Sequence, residues 1–173
     1  MTGSKIAALA AALAVSFPAI AGAASVGGAL IGADGAKLGE VSLAETASGV
    51  LLLRMSAAGL PAGIHGAHIH QTGTCDIADG FKSAGGHLAG GHQHGVMAGG
   101  GPHPGDLPNL HVGADGKLEI ELFVPGVAIG GDGPSLLDAD GSALVLHAGP
   151  DDYSSQPAGD SGGRIACAVL GGQ

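Results

Sequence analysis

A chain of 173 residues suits one domain, and with three Phe, one Tyr and no Trp its core has to be built from Val, Ile, Leu and Ala. Thirty-five glycines without a triplet period exclude a collagen-like fibre and point to short strands joined by many turns and long loops. A formal charge of −9 argues against nucleic acid as a partner, since phosphates would be repelled.

The first element in chain order is a leader. Lys5 precedes an apolar run at 6–15, then Pro18, then the small residues Ala21, Gly22 and Ala23. This order reads as a secretory signal peptide over 1–23, leaving a mature domain over 24–173. The alternative is a retained anchor, but the run before Pro18 is shorter than a bilayer span and no basic stop follows. The mature chain is therefore expected in the periplasm, free of the membrane, and no cysteine near the cut offers a lipid attachment. Losing Lys5 leaves five basic against fifteen acidic residues, a formal charge of −10. Cys75 and Cys167 would both reach an oxidising compartment, which favours a disulfide between them over two free thiols.

Beyond the leader, short apolar runs at 26–31, 39–43 and 50–55 are cut by turn signals such as Asp34-Gly35 and Ser48-Gly49. After the turn at Leu60-Pro61-Ala62-Gly63, a strand at 64–71 carries three histidines. A loop of unusual length, 72–108, follows; such loops are functional or disordered. Strand patterns return at 109–112, 117–124 and 143–147, and a second polar loop, 148–163, leads to a last strand at 164–170. Eight strands, two long loops and no helical periodicity predict an all-β fold, an eight-stranded antiparallel Greek-key barrel or Ig-like sandwich.

Nine histidines are too many and too clustered to be background. His68 and His70, two residues apart on one strand, project from the same face, a start for a metal chelate; His65 points the other way and reads as a hydrogen-bonded part of the wall. In the first loop, His87, His94, His103 and Asp106 offer three imidazoles and a carboxylate, a set that suits tetrahedral zinc. These residues alone leave a flexible, histidine-rich metal scavenger equally open.

The segment Gly63-Ile64-His65-Gly66-Ala67-His68-Ile69-His70, followed by Gly73-Thr74-Cys75, resembles the copper-binding strand of copper,zinc superoxide dismutases. Further blocks keep the family's order: Ser83-Ala84-Gly85-Gly86-His87, then His103-Pro104-Gly105-Asp106-Leu107-Pro108, then a tail with Leu146-His147, Asp151-Asp152-Tyr153, Ser155-Gln156-Pro157 and Gly163-Arg164-Ile165-Ala166-Cys167. The resemblance is to the bacterial, periplasmic type and spans the mature chain. It implies copper on His68, His70, His87 and His147, and zinc on His87, His94, His103 and Asp106, with His87 shared as an imidazolate bridge. It further implies that Arg164 docks the superoxide anion, that Asp151 hydrogen-bonds a copper ligand and a zinc ligand, and that Cys75 pairs with Cys167. The implied reaction disproportionates superoxide to dioxygen and hydrogen peroxide by cycling copper, with His87 storing a proton. Lys82 is the candidate for steering the substrate.

The chain departs from the family where Leu88-Ala89-Gly90-Gly91 replaces the usual Asn-Pro after the bridging histidine, and the gap to the next zinc histidine is shorter. His94 is preferred as that ligand because it lies nine residues before His103, with His92 as the substitute. Ala67 stands where an aromatic residue is usual, and His111 has no ligand counterpart. Two other readings compete: a metal-buffering protein without turnover, and a copper-only relative. Monomer and homodimer both remain open.

Overall fold

The alternation of apolar and polar residues sets which face of each strand is buried. The computed structural model describes residues 23–171, so residues 1–22 of the expected leader lie outside the described part. The strands are β1 (Ser25–Gly32), β2 (Lys37–Glu45), β3 (Leu51–Ala57), β4 (Gly63–His65), β5 (Ala67–His70), β6 (Leu110–Val112), β7 (Leu118–Val124), β8 (Ser142–His147) and β9 (Arg164–Leu170). In β3 the period of two is complete: Leu51, Leu53, Met55 and Ala57 are buried while the residues between them are half-buried. One 3₁₀ turn, Lys82–Ala84, is the only helical element among the described residues, so none of these carries a helix able to cross a membrane.

Seven strands form one antiparallel sheet in the order β5-β8-β9-β1-β2-β3-β7, and β4 pairs with β6 in a second, two-stranded sheet. Neighbours distant in sequence, such as β5 with β8 and β3 with β7, are the long crossings of a Greek key. The sheet curls around Leu30, Leu43, Leu53, Met55, Leu144 and Leu146, an aliphatic core as the composition requires.

The strand expected at 64–71 is instead two strands, which raises the count from eight to nine. Its chain changes partner at Gly66: His65 lies opposite Leu110 of β6, whereas Ala67 lies opposite Leu146 of β8. At the switch, Gly66 N–H donates to Gly149 O at 2.8 Å and Gly66 O accepts from His147 N–H at 2.9 Å, tying the break to the end of β8.

The switch places β5 and β8 side by side with a shared parity. Ala67, Ile69, Leu144 and Leu146 point into the main core. Their alternates, His68 and His70 on β5 and Ala143, Val145 and His147 on β8, point outward. Ala143 and Val145 are nevertheless fully buried, because Phe81, Ala84 and Cys167 form a second small apolar cluster over them, with Cys75 packed against it. The long first loop thus covers the outer face of the sheet where the histidines emerge.

Candidate metal centre

The first loop is held against β5 by main-chain bonds. β5 is an edge strand, and its free polar groups are taken up by the loop: Ile69 N–H donates to Gly105 O, Leu88 N–H to Ile69 O, Leu107 N–H to Ala67 O and Gln71 N–H to Gly86 O. Buried Leu88 and Leu107 anchor the same segments in the core. His87 and Asp106 are carried into register beside His70 and His68, which they face as isolated bridges.

His68, His70, His87 and His147 form one group, all buried, with ligand atoms within 4.8 Å of one another. Each ring has one nitrogen engaged. His70 Nδ1 donates to Gly85 O at 3.0 Å, His147 Nδ1 donates to Gly162 O at 3.2 Å, and His68 Nε2 donates to Asp151 Oδ2 at 2.7 Å. A carbonyl only accepts, so the proton on those rings sits on the engaged nitrogen and the other nitrogen keeps a lone pair. Those other nitrogens, His68 Nδ1, His70 Nε2 and His147 Nε2, together with His87 Nε2, are buried without a hydrogen-bond partner. Burial also depresses the ring pKa values, to about 4 for His68, about 3 for His147 and well below the usual range for His70. The rings are therefore neutral at pH 7, with lone pairs available to a cation.

A second group gathers around Asp106. Its Oδ1 lies 3.1 Å from His87 Nδ1, 3.0 Å from His94 Nδ1 and 3.2 Å from His103 Nδ1, and the His87 and His103 Nδ1 atoms are 3.3 Å apart. Four ligand atoms on a tetrahedron with metal bonds of about 2.0 to 2.1 Å are separated by edges of about 3.3 Å. The spacing fits a zinc-sized ion, whereas one carboxylate oxygen is crowded by three ring nitrogens if they are only hydrogen-bonded to it. His68 also comes within 4.8 Å of His87, His94 and Asp106, but its Nε2 is committed to Asp151. Burial raises the pKa of Asp106, but hydrogen bonds from His87, Gly95 and His103 outweigh it and hold the carboxyl ionised.

Asp151 joins the two groups from behind. Its Oδ2 accepts from His68 and its Oδ1 accepts from His94 Nε2 at 3.0 Å and from Tyr153 N–H at 2.6 Å. Asn109 fixes the main chain of Asp151 by two bonds of 2.8 Å, one to its N–H and one to its carbonyl. Arg164, partly buried, donates from Nη1 to Phe81 O at 2.5 Å and from Nη2 to Gly85 O at 2.6 Å. Gly85 O thus receives both His70 and Arg164. The Cys75–Cys167 disulfide is present, with Cα atoms 5.8 Å apart, and it ties the segment bearing Phe81 and Gly85 to β9, three residues beyond Arg164.

Residues 37–170 match the sequence model of the family described as copper/zinc superoxide dismutase. The chain belongs to that family. Among relatives of this superoxide dismutase family member, the Cu-Zn superoxide dismutase of Caulobacter vibrioides is 45% identical over 141 residues, 79% of this chain and 80% of that one. Cu-Zn superoxide dismutase 2 of Aquifex aeolicus is 44% identical over 144 residues, 82% of this chain and 83% of that one. Of solved structures, a double mutant of an SOD-like protein from Bacillus subtilis superposes with a TM-score of 0.80 at 38% identity, covering 86% of this chain and 97% of that one.

The structure brings together every histidine and carboxylate expected at the centre of a copper/zinc superoxide dismutase. Of the two loop histidines left open, His94 is buried in the second group and His92 is exposed. His65 is in the wall, with Nδ1 2.8 Å from His147 O and Nε2 2.9 Å from Pro61 O, and His111 is exposed on β6. Asp152, Asp160 and Lys82 are exposed. Sequence reasoning missed Asn109 and Phe81. The first follows directly on the Asp106-Leu107-Pro108 block, which was its one signal; the second acts through a carbonyl, which no side-chain pattern reveals.

Proposed function

We propose that the chain is a superoxide dismutase with copper held by His68 Nδ1, His70 Nε2, His87 Nε2 and His147 Nε2, and zinc by the Nδ1 atoms of His87, His94 and His103 with Asp106 Oδ1. The observation that carries this reading is the set of four buried, partnerless ring nitrogens on His68, His70, His87 and His147, residues that present ligand atoms within 4.8 Å of one another, with the opposite nitrogen of His87 beside Asp106. When bound, copper supplies one-electron redox chemistry and zinc a fixed charge that makes a doubly deprotonated His87 ring tenable.

The chain's own groups account for the rest. Arg164 commits two guanidinium donors to Phe81 O and Gly85 O, which aims the head, and offers its other donors to an anion beside His70 and His147. Its local charge, focused by a concave site, draws superoxide toward a chain whose formal charge is −9. His87 Nε2 is the atom that holds a proton on the way to peroxide. Asp151 keeps His68 and His94 oriented and basic. The crowding of the His87, His94 and His103 Nδ1 atoms around one oxygen of Asp106, at spacings close to a tetrahedral edge, favours a second ion over a copper-only relative. The leader at 1–23 and the oxidised cysteine pair support export to the periplasm, where the mature chain would start at Ala24 and remain off the membrane.

The test is a superoxide dismutation assay on protein reconstituted with copper and zinc. His87→Ala is expected to abolish turnover, and Arg164→Ala to slow it by roughly tenfold or more with both metals retained. Full activity in the His87 variant would remove the shared-ring centre; unchanged activity in the Arg164 variant would favour metal buffering.

A further inference from the structure

Gln156 lies on the exposed side of the second long loop, yet both ends of its carboxamide are spent on one residue of the first. Its Oε1 accepts from His94 N–H at 2.9 Å, and its Nε2 donates to His94 O at 2.9 Å and to Ser154 O at 3.0 Å. A donor and an acceptor meeting the N–H and C=O of one residue reproduce the pair of bonds by which neighbouring antiparallel strands hold each other. The contact is continued by Met97 N–H, which donates to Tyr153 O at 3.0 Å. At Gly95, φ is +88° and a Cβ would fall 2.0 Å from Tyr153 O, so the loops can approach this closely only because residue 95 is glycine.

We infer that Gln156 is a positioning residue that selects His94 over His92 as the ring turned into the second metal group; this rests on reading His94 as a zinc ligand. Residues 88–101 contain no strand, so no pleat decides which histidine faces inward. His92 is exposed and lines the same surface groove as His103 and Asp106, two residues from His94 in the chain. The amide of Gln156 grips the main chain at 94 and at no other position of that segment, and His94 is thereby delivered between Asp106 Oδ1 and Asp151 Oδ1.

The probe is Co²⁺ bound by the full chain, whose visible absorption reports ligand identity and geometry and whose affinity is read by chelator competition. Gln156→Ala is expected to weaken Co²⁺ binding by roughly 10-fold or more, as loss of a partner that orients a ligand does, and to shift the absorption bands as His92 enters. His92→Ala alone should match the parent, while the Gln156→Ala/His92→Ala pair should bind more weakly than Gln156→Ala. Gln156→Glu, which can accept from His94 N–H but cannot donate to its carbonyl, should fall between. A purely structural role would lower the melting temperature and leave the cobalt spectrum unmoved, and that result, or an unaltered affinity in Gln156→Ala, overturns the inference. So does a double variant no weaker than the single one. His94→Ala separates the two levels: if it keeps the parental cobalt spectrum, the ligand assignment itself is wrong, whereas loss there with parental behaviour in Gln156→Ala removes only the role of Gln156.

Discussion

Asp151 touches neither proposed metal directly, yet its replacement should loosen both. Its side chain is fully buried, and each carboxylate oxygen accepts from a different ring, Oδ2 from His68 Nε2 at 2.7 Å and Oδ1 from His94 Nε2 at 3.0 Å. In the proposed ligand set both rings present Nδ1 to a metal, so both would carry their proton on Nε2 and both would need an acceptor. In Asp151→Asn the volume is kept but one of the two acceptors becomes an amide that opposes a ring N–H. An unsatisfied buried donor costs about 1 to 3 kcal/mol, which agrees with a loss of about 10- to 100-fold in metal affinity when a ligand's hydrogen-bond partner is removed. Asp151→Ala removes both acceptors and should cost about 2 to 6 kcal/mol on the same scale. Chelator competition for zinc and copper, run separately on the two variants and the parent, measures this. The alanine variant should weaken both metals, whereas the asparagine variant, whose amide satisfies one ring only by leaving the other opposed, should weaken at least one of them. If either metal is held with parental affinity in both variants, the carboxylate is not a shared support and the reasoning fails.

Three further outcomes are expected. Replacing Cys75 and Cys167 by Ser opens a link between residues 92 apart in sequence, for which chain entropy gives a loss of about 4 to 5 kcal/mol as an upper bound; urea unfolding should show it, and an unchanged midpoint would mean the small cluster around Phe81 holds the loop alone. In the metal-free protein, His68, His70 and His147 have pKa values depressed below 6.5 by burial, so the unfolded chain binds more protons than the native one as pH falls from 6.5 toward about 4. Stability should be level above about pH 7 and fall toward pH 5 by up to about 4 kcal/mol per pH unit for three such rings, and urea midpoints independent of pH over that range would contradict it. Gly159→Ala should destabilise the second group: φ there is +66°, and a Cβ would sit 1.9 Å from Asp151 Oδ1 and 2.6 Å from His94 Nε2, so zinc retention should drop along with the melting temperature.

Residues on strands were readable one at a time. The outward pairing of His68 and His70 follows from the pleat of one strand; the placement of His65 in the wall agrees with the same reading, although it lies on a separate strand, β4. The division at Gly66 was not readable, because nothing in the continuous strand-like stretch at 64–71 tells which of two sheets each half will join. The long first loop read as either functional or disordered; burial of Phe81, Leu88 and Leu107 holds it in place. Without periodicity in that loop, the preference for His94 over His92 rested on motif spacing alone, and the packing of the second loop against the first supplies the contacts that hold His94 inward.

The amino-acid sequence by itself pointed to an all-β domain and an oxidised cysteine pair, and through motif order to the histidines and carboxylates that the fold gathers, because side-chain parity is a local property and motif order survives in the chain. The tertiary structure alone decided which nitrogen of each ring is free, what holds His94 rather than His92 inward, and which oxygen of Asp151 meets which ring. Those facts depend on partners such as Gly85 O, Gly162 O and Gln156, which are distant in the chain and meet their histidines only after the sheet has curled and the two loops have closed over it.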